Sequence, residues 1–119
     1  MADLGKRIGS LCLSWPGTTE DVKWGADHVF SVNGKMFVIL PYESEKPWLS
    51  LKASSQAFAD LVSTGHFSPA PYLARANWVM TKTPEDLDFS TLAELIRESY
   101  ELVVAKLSKK AQRELGFNP

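Results

Sequence analysis

Residues 27–32 and 35–40 are two runs rich in β-branched and aromatic side chains, and Asn33-Gly34 lies between them. An Asn-Gly pair in that setting predicts a two-residue type I′ hairpin, because both central residues need φ > 0 and these two residue types tolerate it. The register then sets Val32 against Lys35, Ser31 against Met36, Phe30 against Phe37, Val29 against Val38 and His28 against Ile39. Apolar positions fall on both faces, His28, Phe30, Val32, Phe37 and Ile39 on one and Val29, Met36, Val38 and Leu40 on the other. A ribbon inside a sheet, not a solvated edge, is the element this pattern predicts.

Helical periodicity brackets the hairpin. Leu4, Ile8, Leu11, Cys12 and Trp15 recur at i, i+4, i+7, i+8 and i+11, with Asp3 as the candidate cap and Pro16-Gly17 as the stop. A short strand is expected within residues 18–25, and a second where Trp48, Ser50 and Lys52 alternate with Leu49 and Leu51. Ser54 or Ser55 should cap a helix reaching about Ser63, with Phe58, Leu61 and Val62 inward and Gly65 ending it. Pro69-Ala70-Pro71-Tyr72 reads as loop or edge, since two prolines remove ladder donors. Residues 78–81 predict a last strand, ended by Pro84. Thr91-Leu92-Ala93-Glu94 fits a capping box, with Asp88 as the alternative start of the final helix. Its stripe is Leu92, Leu95, Ile96, Ser99, Val103 and Leu107, with Arg97 and Glu101 paired at i,i+4 and Gly116 as its stop.

Composition narrows this little. The chain has 119 residues, 45% apolar and 23% charged, which predicts one domain spanning 1–119 with a single core. The formal charge of −1 weighs against strong non-specific nucleic-acid binding without excluding a local basic patch. A single cysteine, Cys12, excludes an internal disulfide and a multi-cysteine metal site, and its place on an apolar stripe predicts core packing. No basic-then-apolar leader and no run near the ~20 apolar residues of a membrane helix is present, so the cytoplasm is the expected location and no membrane partner is expected.

Candidate chemistry is sparse. His28 and His66 lack metal-site spacing, and no nucleophile elbow, P-loop or dinucleotide fingerprint occurs. Glu20 and Asp21 are adjacent, so in a strand they point to opposite faces and cannot share a proton. No catalytic residue, metal or cofactor is expected. The cations are more informative. Lys106, Lys109, Lys110 and Arg113 fall at i, i+3, i+4 and i+7, which reads either as a phosphate-contacting stripe or as cations favoured at a helix C-terminus. Lys35, Lys52 and Arg75 could converge with them. Tyr72 and Trp78 bracket Arg75, as an aromatic platform or as loop packing on the sheet.

Pro16-Gly17-Thr18-Thr19-Glu20, Trp24-Gly25, residues 30–37, Leu49-Ser50-Leu51-Lys52, Pro69-Ala70-Pro71-Tyr72 with Trp78, and residues 99–107 occur in that order. Together they resemble the MmcQ/YjbR-like family over roughly residues 4–110. Ser108 departs from the pattern, standing where a proline of a Leu-Pro-Lys-Lys ending is expected; serine should let the helix run on towards Leu115. The resemblance implies an α+β fold like the CyaY/frataxin group, an antiparallel sheet with helices on one face and a long C-terminal helix. It also implies a DNA-binding protein with a double-wing arrangement of hairpins, and the matching ligand positions are Lys35, Lys52, Tyr72, Trp78 and Lys106. A frataxin-like fold raises iron binding by acidic residues, here Glu94, Glu98 and Glu101, although Arg97 among them favours a solvated face. Two functions follow as expectations. One is a non-enzymatic DNA-binding domain using the cations; the other is a small-molecule or protein-interaction domain using an open sheet face with Tyr72 and Trp78.

Overall fold

The computed structural model describes residues 2–25, 27–43, 48–71 and 73–119. In chain order the elements are α1 (Ala2–Leu13), β1 (Thr18–Lys23), β2 (Asp27–Val32), β3 (Lys35–Leu40), β4 (Leu49–Lys52), α2 (Ser55–Ser63), β5 (Ser68–Pro69), β6 (Trp78–Thr81), α3 (Phe89–Ala105) and α4 (Lys109–Glu114). The strands form one antiparallel sheet in the order β1-β2-β3-β4-β6-β5. This is the expected α+β architecture.

The hairpin turn forms as its sequence demands, with Asn33 at φ 52° and Gly34 at φ 80°. Val32 faces Lys35 and Ser31 faces Met36, and then the register slips. Phe30 pairs with Val38, Val29 with Ile39 and His28 with Leu40, leaving Phe37 as the extra residue of a β-bulge. The predicted Phe30–Phe37, Val29–Val38 and His28–Ile39 pairs are therefore wrong by one. A bulge resets the alternation of faces beyond it. Phe37, Val38 and Leu40 consequently share the helix-side core with Phe30 and Val32, while Ile39 joins Val29 on the opposite face.

Side chains from α1, α2 and α3 cover the first face. Ile8 and Cys12 of α1, Leu92, Ile96, Tyr100, Val103 and Val104 of α3, and Phe58, Leu61 and Val62 of α2 close on Phe30, Phe37, Leu49, Leu51 and Val79. Leu115, which ends α4, and Phe117 seal one side. Tyr100 locks the layers together. Its hydroxyl donates to the Pro16 carbonyl at 2.7 Å, and its ring lies 5.1 Å from Trp15 and 5.4 Å from Phe37. Gly17 at φ 73° takes a left-handed conformation that favours glycine, and Leu115 Cδ2 lies where a Cβ would point.

Ser99 closes a gap in the sheet. Its hydroxyl donates to the Phe37 carbonyl at 2.6 Å and accepts from the Lys52 amide at 3.0 Å. The β3–β4 ladder pairs only Val38 with Leu51 and Ile39 with Ser50. Past those pairs the strands part, and a fully buried helix hydroxyl satisfies what the ladder leaves open.

Local chemistry also corrects three helix ends. Asp3 lies inside the first turn of α1, so it does not cap it. The final helix starts from Asp88, and Thr91 lies within it, so the capping-box reading fails. Ser108 stops that helix: at φ −61°, ψ 155° it N-caps α4, and its hydroxyl accepts from the Ala111 amide at 3.1 Å. A serine without proline's restraint still prefers the cap, because its side chain satisfies an orphan donor there.

Candidate functional site

Strand direction places the candidate cations. Lys35 opens β3 and Lys52 closes its antiparallel neighbour β4, while Trp78, which opens β6, pairs with Lys52. All three ends lie at the same margin of the sheet. Arg75 sits in a 3₁₀ turn (Ala74–Ala76) directly before β6, and the Asn77 carbonyl accepts from the Ala53 amide just beyond Lys52. Helix α3 ends there too, with Lys106 as its C-cap. Helix α4 then runs back towards the hairpin tip, since Leu115 lies against Gly17 close to Val32. Lys109, Lys110 and Arg113 travel with it, all exposed.

The structure thus gathers Lys35, Lys52, Arg75, Lys106, Lys109, Lys110 and Arg113 at one end of the domain. It does so without the continuous helical stripe expected from spacing, because the Ser108 cap separates Lys106 from the other three. Lys52 and Lys106 are near enough to repel. Burial first, and the Lys106 charge second, hold the Lys52 ammonium below the usual lysine range. Among the described residues the ion pairs are His28–Glu20, His28–Glu43 and Arg97–Glu101, so none of the seven cations is paired. Asp27, Glu43, Glu85, Asp86 and Asp88 stand at the opposite end, following β3 and β6 or opening β2 and α3.

Trp78 offers no open face for an aromatic platform. Trp78 is 4% exposed and packs with Val29, Ile39 and Ala70 in a small second cluster. Leu73 and Met80 pack against that cluster, so residues of the 70–78 segment cover this part of the face that was expected to be open. Tyr72 lies outside the described residues. The tips of the β1–β2 and β2–β3 hairpins fall at opposite ends of the sheet, as in any three-strand meander, and only the Asn33-Gly34 tip reaches the cationic end.

Sequence reasoning missed one polar cluster. The buried His28 ring has Glu20 Oε2 at 2.7 Å from Nδ1 and Glu43 Oε1 at 2.6 Å from Nε2. Tyr42 stacks on it at 4.0 Å and donates to Glu20 at 3.3 Å. Burial, followed by Glu20, raises the Tyr42 phenol above its usual range. Since ionised carboxylates only accept, pairing both requires an N–H on each ring nitrogen. The two carboxylates flank the ring on opposite sides and do not converge on a common point. Their work is to clamp β1 and the chain after β3 around β2. The signal available was diagonal proximity: Val22 lies opposite His28, which puts Glu20 two residues along on the same face.

A groove of about 460 Å³ runs between α1 and α3, with Leu11, Trp15 and Ala93 in its lining and Glu94, Arg97, Glu98 and Glu101 around it. Arg97 stacks 5.1 Å from Trp15 and pairs with Glu101 at 3.6 Å. Among the described residues no group of three or more His, Cys, Asp or Glu is arranged to hold a metal ion. No helix among them is long and apolar enough to cross a membrane.

An antiparallel sheet backed on one face by helices, with a long helix α3 near the C-terminus, defines an α+β domain. The YjbR family model matches residues 13–102, and the chain belongs to that family. It is 25% identical over 88 residues to the uncharacterised protein YbdF of Escherichia coli O157:H7, which covers 73% of this chain and 72% of YbdF. Its fold is similar to the crystal structure of the Deinococcus radiodurans protein DR2400, a DUF419 domain, with a TM-score of 0.82 and 25% identity over 95% of this chain and 88% of that one.

Proposed function

We propose that this YjbR domain is a non-enzymatic binding domain whose partner is duplex DNA, docked through the cationic end. The observation that carries the reading is the Lys52–Lys106 pair. Half-buried Lys52 and exposed Lys106 come from different elements at the same end of the sheet, near enough for the Lys106 charge to hold the Lys52 ammonium down, with no counter-ion among the described residues. Such a pair is destabilised in the free domain, and an arriving phosphate oxygen relieves the repulsion. Lys35, Arg75, Lys109, Lys110 and Arg113 extend the positive surface around it. Lysine and arginine contacts to phosphates carry no sequence information, so the expected binding is sequence-tolerant and backbone-directed.

The test is affinity for a DNA duplex across a salt series. Each phosphate neutralised contributes a slope of about −0.9 in log K against log salt, so all seven cations together would give a slope of about −6. The double variant K52E/K106E should weaken binding to every sequence alike and flatten the slope. Absence of binding at low salt sinks the proposal.

A further inference from the structure

Strand β1 is one of the two outer strands of the sheet, and it is poorly guarded. It contains no proline, and its register against β2 runs without a bulge from Thr18–Val32 to Lys23–Asp27. Val22 is 58% exposed, and Trp24, just past the strand, is 66% exposed. Edges of this kind are normally protected by proline, bulges or charge. Only charge is present here, as Glu20, Asp21 and Lys23, and its order along the strand is informative.

Two copies that pair edge to edge about a two-fold axis normal to the sheet keep every residue on its own face. Directly opposed positions must then have the same parity, so the axis falls on a residue. Centred on Glu20 or Asp21, the pairing sets that carboxylate against itself; centred on Lys23, it sets two lysines together. Like charges directly opposite are destabilising. Centred on Val22, the same strand is self-complementary. Val22 meets Val22, and Asp21 meets Lys23 twice. Lys23 already faces Asp27 across its own sheet, so the second copy's Asp21 places it between two carboxylates.

We infer that β1 is a self-recognition edge, through which a second copy of this chain adds antiparallel to the sheet with Val22 on the two-fold axis. Backbone hydrogen bonds supply the attraction, the exposed Val22 loses water, and the two Asp21–Lys23 pairs favour this register over those centred on Glu20, Asp21 or Lys23. The contact is small, so the dimer is reversible and concentration-dependent. It lies away from the cationic end and involves no nucleic acid.

Sedimentation over about a hundredfold range of protein concentration should show the wild-type chain moving from monomer to dimer. D21K sets lysine against lysine and K23D sets aspartate against aspartate, so each variant alone should stay monomeric while near-UV circular dichroism shows it folded. Mixed, the two should form a heterodimer, because every opposed pair is then attractive; the double variant D21K/K23D should dimerise with itself. V22D, which places two carboxylates on the axis, gives a further folded monomer. A wild-type chain that stays monomeric throughout, single variants that dimerise like the wild type, or a mixture that does not recover would each overturn the inference.

Discussion

Replacing Ser99 by alanine removes one oxygen and two hydrogen bonds from the place where β3 and β4 separate. The Phe37 carbonyl loses a donor at 2.6 Å in a buried setting, and the Lys52 amide loses an acceptor at 3.0 Å in a partly buried one. An orphaned buried polar group costs about 1–3 kcal/mol. The two together, discounted for access of water to the Lys52 side, come to about 2–4 kcal/mol. Against a total of about 5–15 kcal/mol for an ordinary domain, that is a large share. The melting temperature should fall by roughly 8–16 °C. Urea denaturation would give the free energy directly, with the midpoint lowered at unchanged slope, and hydrogen exchange at the Lys52 amide would locate the loss. A change below about 0.5 kcal/mol, with that amide still protected, would refute the reasoning, because it would mean the strands satisfy each other without the helix. T91A on the exposed face of α3 is the control: a true cap would cost about 1 kcal/mol on removal, whereas an interior surface threonine should change little.

Cys12 is buried beside Glu20, and burial first, then that carboxylate, pushes its thiol from 9.0 up to about 12. The folded state therefore holds a proton that the unfolded chain releases, so the thiol's contribution to stability is complete below pH 9 and is lost as pH rises towards about 12. Alkylation by iodoacetamide in mild alkali should run far slower than for a free thiol and accelerate in step with unfolding by urea; a rate like that of free cysteine would contradict the burial. His28→Ala removes the clamp between β1 and the residues after β3, with one carboxylate well solvated, so a loss of about 1–2 kcal/mol and faster amide exchange along β1 are expected. Unchanged exchange in β1 would show that the cluster ties nothing down.

Much of the fold was legible because several levels of sequence signal agreed. The Asn33-Gly34 turn, the Ser54 cap with its bond to Ala57, and the Leu92-Ile96-Val103 stripe each combine local chemistry with the right hydrophobic period. Where one level spoke alone it failed. Alternation along β2 and β3 carries no trace of the bulge, since Phe37 and Val38 are both apolar and either could face the core. Ser108 illustrates the converse error. Reading it as a missing proline removed one helix breaker and overlooked another, because a serine followed by a helix-forming run is itself a cap. Of the candidate site, the positions of single cations were visible, but not their convergence. Lys35, Lys52, Arg75 and Lys106 come from four elements, and their common location follows from antiparallel strand order and from where α3 happens to end. Trp78 went the other way: an aromatic beside an arginine suggested a platform, and the neighbouring segment turned it into core.

The formal charge of −1 was a reason to doubt an anionic partner, and the fold explains why that total is the wrong quantity. A six-residue strand is about 20 Å long. The cations that follow β4 and α3 and the carboxylates that follow β3 and β6 stand at opposite ends of such strands. Charges in water are screened over about 8 Å at physiological ionic strength. A phosphate near Lys52 and Lys106 therefore responds to the cations around it and hardly at all to Asp27, Glu85, Asp86 or Asp88. The total of −1 averages a cationic end with a far end where Lys23, Lys82 and Arg7 stand among the carboxylates. Net charge predicts binding only when charge is mixed evenly over the surface, and here Lys35, Lys52, Arg75 and Lys106 are collected at one end. The same separation keeps the β1 edge, with its own balanced order of Asp21 and Lys23, electrically independent of the cationic end.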